Sequence, residues 1–431
     1  MSFEIKIRRP IHMDVNSPHG IAIRCGNTFL TRLRRNETQE ISNYLEARPA
    51  QLAFWLIDNW WRLRWEGLPA AGVNASWRLA HDLSSLGGTA WPRLYIWGDG
   101  QRVGISSFKD PVGVVGPVQF LEERLQFIDA VEWEAGTDAF LKEVADEARG
   151  YGSDHEALRQ SLEELTVERN DVDVAAWRRL EARLGYDVDQ APENTMDALF
   201  EIARRFDTDG VEEASQATQG AEAAIILERE IEAARASRLQ CDFRSVQTIA
   251  ANTTFDGEDK IWTPAERAAR AVRDYADRRN GPLKNAVLSD ILGVTTHALQ
   301  SSRSAPAENL PYGLRLRDGD RSVVALRARR SQSRRFELAR ALGDVIWSKG
   351  SSLGPLTGAK TDRQRFQRNF AQSLLCPIED LQDYLGKKVI DDDAIEGAAE
   401  HFHVNQSLVV RTLQKKHIIS PDSFEHKVEA A

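Results

Sequence analysis

The stretch RRFELARALGDVIW at residues 334–347 predicts how the C-terminal part of this 431-residue chain folds. Its apolar residues recur at mixed spacings of three and four, which places a wide apolar stripe along one side of a helix. The residues of this stripe are Phe336, Leu338, Leu342, Val345 and Ile346. We therefore predict a helix that packs its apolar side against a core.

The overall composition indicates a folded protein of several domains. Apolar residues make up 42% and charged residues 28% of the chain, proportions that are typical of globular proteins. At roughly 100 to 200 residues per domain, the length predicts about two to four domains. The net charge of −9 argues against a molecule whose whole surface tracks nucleic-acid phosphates, although a local basic patch remains compatible with it.

Cysteine content and the N-terminal sequence bear on localisation. Cys25, Cys241 and Cys376 are too few and too scattered for a disulfide framework or a cysteine-based zinc site, which favours a reducing compartment. The first ten residues, MSFEIKIRRP, lack the apolar segment of a signal peptide, and no run of about 18 apolar residues occurs. We expect a cytoplasmic protein without a membrane partner.

Residues 1–118 predict a tryptophan-rich domain of mixed strands and helices. Alternating apolar residues at 94–96 and 103–105 flank the turn sequence GDG at 98–100, which predicts a β-hairpin. The segment AFWLIDNWWRLRWE, residues 53–66, predicts an amphipathic helix. Its rings either fill the core of this domain or form an exposed aromatic binding surface.

The remaining sequence predicts a multidomain α+β protein. Residues 119–238 follow a helical pattern and are predicted to form a connector domain, without a glycine-rich phosphate loop. Residues 239–260 include the polar run at 252–254 and an Asp-Gly pair at 256–257, and they are predicted to be a linker. Residues 261–390 are predicted to form the next domain.

This last domain opens with two predicted helices, at residues 262–277 and 283–294. Strands are then predicted at 312–317 and 322–328. They are joined by the turn sequence DGD at 318–320, and Asp-Gly between alternating segments is a strong hairpin signal. The helix quoted first follows directly, which gives the order helix, helix, hairpin, helix.

This order, together with two sequence matches, resembles the catalytic domain of the ImmA/IrrE family of metallopeptidases. In that family an Arg-Arg-Phe entry leads into Ala-His-Glu-Leu-Gly-His, and the same frame here reads RRFELARALGD. The next helix, QRNFAQSLLCP at residues 367–377, is similar to the family segment Ala-Asn-x-Phe-Ala-x-x-Leu-Leu-Met-Pro. The resemblance covers roughly the last 170 residues and implies a mostly helical, zincin-like domain with a small β-hairpin.

The residues that carry the family's chemistry are replaced. A zinc peptidase of this type needs two histidines four residues apart, a glutamate that activates water, and a third ligand from the next helix. The resemblance puts Arg340 at the first ligand, Ala341 at the base and Asp344 at the second ligand, with Gln364 or Phe366 as candidates for the third.

Of these side chains only Asp344 could bind a divalent metal. We expect that either an ion pair between Asp344 and Arg340, one helical turn away, or packing alone takes the place of the metal. We therefore expect a pseudo-peptidase without a metal or other cofactor. Active members of the family cut repressor proteins and so switch on stress responses or mobile elements. The resemblance accordingly implies a non-catalytic regulator that recognises a protein partner, in mobile-element or phage-defence regulation.

Residues 391–420 fit the spacing of a helix-turn-helix. Ala399 begins the frame, Val404 and Asn405 form the turn, and Val409 and Leu413 anchor the second helix. As a DNA reader this helix would present the side chains Gln406, Ser407, Arg411, Gln414, Lys415 and Lys416. The alternative, which the resemblance implies, is that this helical tail packs on the core or helps to bind a partner. Residues 421–431 are predicted to be a disordered tail.

Arginines are concentrated just before and within the stretch quoted first. Several of them alternate along the predicted hairpin and so would share one face. They could meet phosphate or an acidic surface of the chain's own helical middle. Internal ion pairs and simple solvation are the alternatives. The arginines are Arg315, Arg317, Arg321, Arg327, Arg329, Arg330, Arg334, Arg335 and Arg340.

Three hypotheses for function follow from these patterns. The first is the non-catalytic regulatory or protein-interaction protein that the resemblance implies. The second is a DNA-binding transcriptional regulator that uses the helix-turn-helix and the arginine-rich hairpin. The third is a metallopeptidase with noncanonical ligands, some of them donated by a partner chain.

Overall fold

The computed structural model describes residues 1–9, 19–69, 72–88, 90–113, 116–147, 152–254, 261–300, 310–386, 389–420 and 423–424. The fold is mixed α+β, as predicted. The chain divides into two compact units, one formed by Met1–Met196 and Thr218–Ala221, the other by Asp197–Ala217 and Glu222–Ala431. Residues 119–238, predicted as one connector domain, are distributed over both units.

Within the described residues, the first unit contains three small antiparallel sheets. Their strands are β1 (Phe3–Arg8), β2 (His19–Cys25), β3 (Thr28–Phe29), β4 (Leu33–Arg35), β5 (Ile41–Ser42), β6 (Leu45–Ala47), β7 (Leu94–Gly98), β8 (Arg102–Ser107), β9 (Val118–Phe120) and β10 (Arg124–Asp129). Strand β2 pairs with β1, β3 and β6, strand β8 pairs with β7 and β10, and strand β4 pairs with β5 and β9. The predicted hairpin around residues 98–100 is the β7–β8 pair.

The helices of the first unit are α1 (Pro49–Asp58), α2 (Trp60–Trp65), α3 (Ala75–His81), α4 (Ala130–Glu147), α5 (Gly152–Asn170) and α6 (Val172–Arg183), with a 3₁₀ turn at Leu83–Ser85; helix α7 (Glu193–Arg205) crosses the boundary after Met196. The predicted tryptophan-rich helix is divided at Asn59, whose side-chain amide donates to the Trp55 carbonyl and so competes with the helical ladder. Trp55, Trp60 and Trp61 are buried, so the core interpretation is confirmed and the exposed aromatic surface is wrong.

The second unit is built on one four-stranded antiparallel sheet of order β11-β13-β12-β14. Its strands are β11 (Gln240–Cys241), β12 (Gly313–Asp318), β13 (Arg321–Ala325) and β14 (Leu353–Leu356). Its helices are α8 (Thr208–Thr218), α9 (Ala223–Ala236), α10 (Gln247–Asn252), α11 (Trp262–Tyr275), α12 (Asn285–Leu292), α13 (Thr296–Gln300), α14 (Ser331–Ser348), α15 (Asp362–Leu375), α16 (Ile378–Leu385), α17 (Asp392–Phe402) and α18 (Gln406–Lys415), with a 3₁₀ turn at Arg244–Val246.

Several predictions for the second unit are confirmed. The hairpin is β12–β13, and Gly319 at its tip has a φ of +59°, a left-handed conformation that glycine adopts without strain. The stretch quoted first is α14, which contacts α10, α13, α15, β12 and β14. Helix α12 lies within the predicted helix at 283–294, and Gly293, which follows its last residue, is also left-handed.

The predicted linker is wrong over residues 239–254. This segment contains β11 and α10, and its side chains Leu239, Cys241, Phe243 and Val246 are buried in the core of the second unit. Turn-forming polar residues had masked this apolar content. The rest of the predicted linker, with the Asp-Gly pair at 256–257, lies outside the described residues, and so does the predicted tail at 421–431 except for residues 423–424.

None of the helices in the described part of the chain is both long and apolar enough to cross a membrane.

Candidate functional site

The polar side of α14 is buried as well as its apolar side. Arg334, Arg335 and Asp344 are at most 1% exposed, and Arg340 is 8% exposed. Charged groups so far from water need partners, because a buried charge without one is very costly. Asp344 and Arg340 belong to a buried network, and a groove lined by arginines lies beside the first turns of the same helix.

Asp344 accepts hydrogen bonds from two guanidinium groups and one amide. Its Oδ1 accepts from Arg363 Nε at 2.7 Å and from Gln367 Nε2 at 2.8 Å. Its Oδ2 accepts from Arg315 Nη2 at 2.9 Å and from Arg363 Nη2 at 3.1 Å. The carboxylate thereby joins strand β12, helix α14 and helix α15 at one buried point.

The expected ion pair between Arg340 and Asp344 is wrong. Arg340 Nη2 instead donates to the Thr357 carbonyl at 2.7 Å, to Gln364 Oε1 at 2.5 Å and to Gln367 Oε1 at 3.1 Å. The expectation that side chains one helical turn apart will pair considers only neighbours within a single helix. Here the adjacent helix α15 supplies closer partners to both side chains, so tertiary contacts override the local pairing.

Electrostatics explains why Asp344 stays ionised. Burial by itself raises the pKa of this carboxyl, but the neighbouring Arg363 and Arg315 cations outweigh burial and hold its pKa below the ordinary value of 3.8. Two further carboxylates balance the local positive charge. Glu213 accepts from the Thr361 hydroxyl at 2.6 Å, and Asp207 accepts from the Leu353 amide at 2.8 Å.

Arg340, Asp344 and Gln364 stand at positions where the resemblance implies metal ligands, and they occupy this space with their own polar groups. The Arg340 guanidinium donates to the side-chain amide oxygens of Gln364 and Gln367, and Asp344 has both oxygens engaged. Ala341 is fully buried and offers no base. Phe366 does not face this site, since its ring packs against Trp347 with 5.3 Å between centroids.

Strand β14 passes directly over the network. A Cβ atom added at Gly354 would overlap the Asp344 carboxylate and come within 2.7 Å of Arg315 Nε, so only glycine fits there. Within the residues that the structure describes, no group of three or more His, Cys, Asp or Glu side chains is placed to hold a metal ion.

The second feature is a groove of about 1240 Å³ beside the first turns of α14, and we call it the arginine groove. Its other walls come from α15, α17 and α18. Three carboxylates, Glu337, Glu396 and Glu400, contribute to the lining. The cationic residues of the lining are Arg327, Arg329, Arg330, Arg340, Arg365, Arg368 and Arg411.

The arginine groove joins two signals that are far apart in the sequence. Arg327, Arg329 and Arg330 come from the predicted arginine-rich run after β13. Gln406, Ser407 and Arg411 come from the second helix of the predicted helix-turn-helix. These six predicted contact residues therefore meet in one place.

Other predicted contact residues lie elsewhere. Arg315 belongs to the buried network, and Arg334 donates to the Ala298 carbonyl at 3.2 Å inside the core. Exposed Arg317 donates to the Gly319 carbonyl at 3.2 Å near the tip of the hairpin. Lys415 and Lys416 both lie within 3.6 Å of the Glu266 carboxylate, on a different surface from the groove.

The charge of the arginine groove is only partly neutralised. In the part of the chain that the structure describes, Arg327, Arg330 and Arg411 form no ion pair with a carboxylate, and all three are exposed. Burial, followed by repulsion from Arg340 and Arg365, lowers the pKa of Arg368 to about 9. These cations repel one another, and an anion placed between them would relieve that repulsion.

Sequence patterns did not reveal the contribution of helix α15. Arg365 and Arg368 are three residues apart, a spacing that places both on one helical face, and this was the available signal. Gln367, which contacts both Arg340 and Asp344, was missed because a glutamine in an amphipathic helix carries no distinguishing pattern.

The helix-turn-helix is present as two helices, α17 and α18, with the predicted turn at residues 404–405 between them. Helix α18 packs on the core, since Leu408, Val409 and Leu413 are buried. The Gln372 side chain donates to the Thr412 hydroxyl at 2.7 Å, which fixes α18 against α15. The alternative that this tail packs on the core is therefore confirmed, and part of α18 still faces the arginine groove.

Comparisons of this chain with protein-family models, with curated proteins and with solved structures find no match. The resemblance to ImmA/IrrE peptidases therefore stays a prediction from the residues quoted above.

Replacing Asp344 tests the buried network. The Asp344→Asn variant leaves two buried guanidinium groups without their anion, and we expect it to lower the free energy of unfolding by about 3–5 kcal/mol. Asp383→Asn, an exposed control, should change it by less than about 0.5 kcal/mol. Denaturant titration measures both, and equal stability of the two variants would contradict the account.

The free energy of unfolding of Asp344→Asn should also depend on pH differently from that of Asp383→Asn. The folded pKa of Asp344 is lowered, so its stabilisation is complete above pH 3.8 and is lost as the pH falls through the folded pKa. In Asp344→Asn this pH-dependent part of the stability should be absent, whereas in Asp383→Asn it should be unchanged.

Anion binding tests the arginine groove. Tripolyphosphate should raise the melting temperature of the wild-type protein at constant ionic strength, because a ligand that binds only the folded state adds about 2.7 kcal/mol at 100 times its Kd. The triple variant Arg327→Gln, Arg330→Gln, Arg411→Gln should lose most of this shift. The exposed Arg278→Gln, outside the groove, should keep it. A full shift in the triple variant would place the anion elsewhere.

Proposed function

We propose that this chain is a non-catalytic nucleic-acid-binding regulator that holds a phosphate backbone in the arginine groove. The observation that carries the proposal is the convergence of seven arginines from three separate segments on one concave surface. The groove lining contains no lysine among its described residues. Arginine presents a planar fork of donors that matches phosphate oxygens in pairs, which a lysine ammonium does not do.

The overall charge is compatible with a local site of this kind. The chain carries a net charge of −9, so the acidic remainder of the molecule repels nucleic acid and binding is confined to the groove. Three exposed arginines, Arg327, Arg330 and Arg411, have no competing carboxylate in ion-pair contact among the described residues. They can exchange water and counterions for phosphate at little cost.

The non-catalytic part of the proposal is supported by the Asp344 network. A metal at this position would have to displace the Arg340 guanidinium from Gln364 and free an oxygen of Asp344 from Arg363. Both changes would leave a buried cation without its partners, which is strongly unfavourable. A metallopeptidase with noncanonical ligands would therefore need its ligands from another chain and a rearranged core.

A protein partner, which the resemblance implies, is the second candidate for the same groove. The observation in its favour is the apolar part of the lining, which includes Phe336, Val404 and Leu408. An extended acidic segment could place its carboxylates on the arginines and its apolar side chains on these residues. The suggested role in mobile-element or phage-defence regulation depends on the resemblance alone.

Salt dependence of binding tests the proposed function. Fluorescence anisotropy with labelled oligonucleotides should show log Kd rising linearly with log salt, since phosphate contacts release counterions. The triple variant of Arg327, Arg330 and Arg411 to glutamine should reduce the slope by about 2 to 3, with roughly 0.7–0.9 lost for each contact. Arg278→Gln, the same type of substitution at one exposed arginine outside the groove, is the control.

Absence of binding at about 50 mM salt would rule the proposal out. So would a triple variant whose slope equals that of Arg278→Gln.

A further inference from the structure

We infer that the arginine groove takes single-stranded rather than duplex nucleic acid. This inference rests on the proposed function and narrows it to a class of ligand. It is carried by the burial of α18, the concave shape of the groove, and the chemistry of its uncharged lining residues.

Helix α18 is not presented as a recognition helix. Reading a duplex requires a helix that protrudes far enough to enter a major groove about 12 Å wide. Six of the ten residues of α18 are buried, and they are Ser407, Leu408, Val409, Val410, Thr412 and Leu413. Gln406 and Arg411, its remaining predicted contact residues at this site, line a concave surface. We therefore expect a duplex not to present its base edges to these two residues.

The groove is large enough for several units of an extended chain. Its volume of about 1240 Å³ exceeds the roughly 300–1000 Å³ that is usual for small-molecule pockets. Its cations are spread over the wall before α14, the helix α15 and the helix α18, so phosphates at successive positions along a strand could each meet an arginine. A single small anion would use only part of this surface.

The uncharged lining offers the contacts that unpaired bases need. Phe336 is half-buried in the groove lining, and a base can stack on an aromatic ring at such a position. Gln332, Ser333 and Asn369 also line the groove and carry amide or hydroxyl groups, which can donate to and accept from base edges. A duplex has already paired these edges, whereas a single strand has them available.

The carboxylates of the lining favour a nucleic acid over an acidic peptide. Glu396 and Glu400 are exposed and lie in the same groove as the arginines. They would repel the carboxylates of a peptide and the phosphates of a strand alike, so the preference depends on what the bases add. The same oxygens can accept hydrogen bonds from the exocyclic amino groups of bases, as glutamate does with cytosine.

Competition binding with the full chain tests the inference. The probes are a labelled single-stranded DNA, a single-stranded RNA of the same sequence, the matching DNA duplex and a poly-glutamate peptide, all at one salt concentration. We expect the single strands to bind at least about tenfold more tightly than the duplex, because only they can stack on Phe336. The two single-stranded probes show whether the natural ligand is DNA or RNA.

The variant Phe336→Leu separates base stacking from phosphate binding. It should weaken single-strand binding roughly five- to a hundredfold and leave both duplex binding and the salt slope unchanged. Tyr275→Leu, an aromatic residue 63% exposed and outside the groove lining, is the control. Circular dichroism and the melting temperature verify that both variants are folded; if Phe336→Leu is not, Phe336→Met takes its place.

The outcomes distinguish this inference from the proposed function. A duplex that binds as tightly as the single strands overturns the inference and leaves the proposed function standing. Failure of every nucleic acid to bind overturns both. Poly-glutamate that displaces the single strand at equal charge concentration also overturns the inference and favours the protein partner. Unchanged single-strand affinity in folded Phe336→Leu would mean that bases do not stack on this ring, and this result would also contradict the inference.

Discussion

The architecture of the second unit depends on one buried carboxylate. Asp344 on α14 accepts hydrogen bonds from Arg315 on β12 and from Arg363 and Gln367 on α15, so it joins three elements that are distant in sequence. Burying these charges is costly, and the arrangement is stable only because each is matched by an opposite charge with good hydrogen-bond geometry. The close approach of β14, which requires Gly354, seals the network from water.

This network also determines where the cations of the arginine groove lie. Arg340 is one turn from Asp344 on α14, and its guanidinium is held by Gln364 and Gln367 of α15. The same helix carries Arg365 and Arg368 into the groove lining. The packed pair α14 and α15 therefore positions cations at the groove before any ligand binds, and such pre-organisation lowers the entropic cost of binding a flexible strand.

Local patterns predicted the elements well, but not the site. The spacing of Phe336, Leu338 and Leu342 predicted α14, and the Asp-Gly turn predicted β12–β13, because periodicity and turn chemistry are local properties. The pairing of Asp344 with Arg363 could not be predicted, since it depends on how two helices pack. The groove was missed as a unit for the same reason, while its parts at Arg330 and Arg411 were identified separately.

We have proposed that single-stranded nucleic acid binds in the arginine groove. Photo-crosslinking of the full chain to a 4-thiouridine-labelled single strand, with the crosslinked peptides identified by mass spectrometry, tests it most directly. The account predicts crosslinks within residues 327–336 and 404–411, and their loss when Arg327, Arg330 and Arg411 are replaced by glutamine. Crosslinks that fall mainly in the first unit, or that persist unchanged in the triple variant, would contradict it.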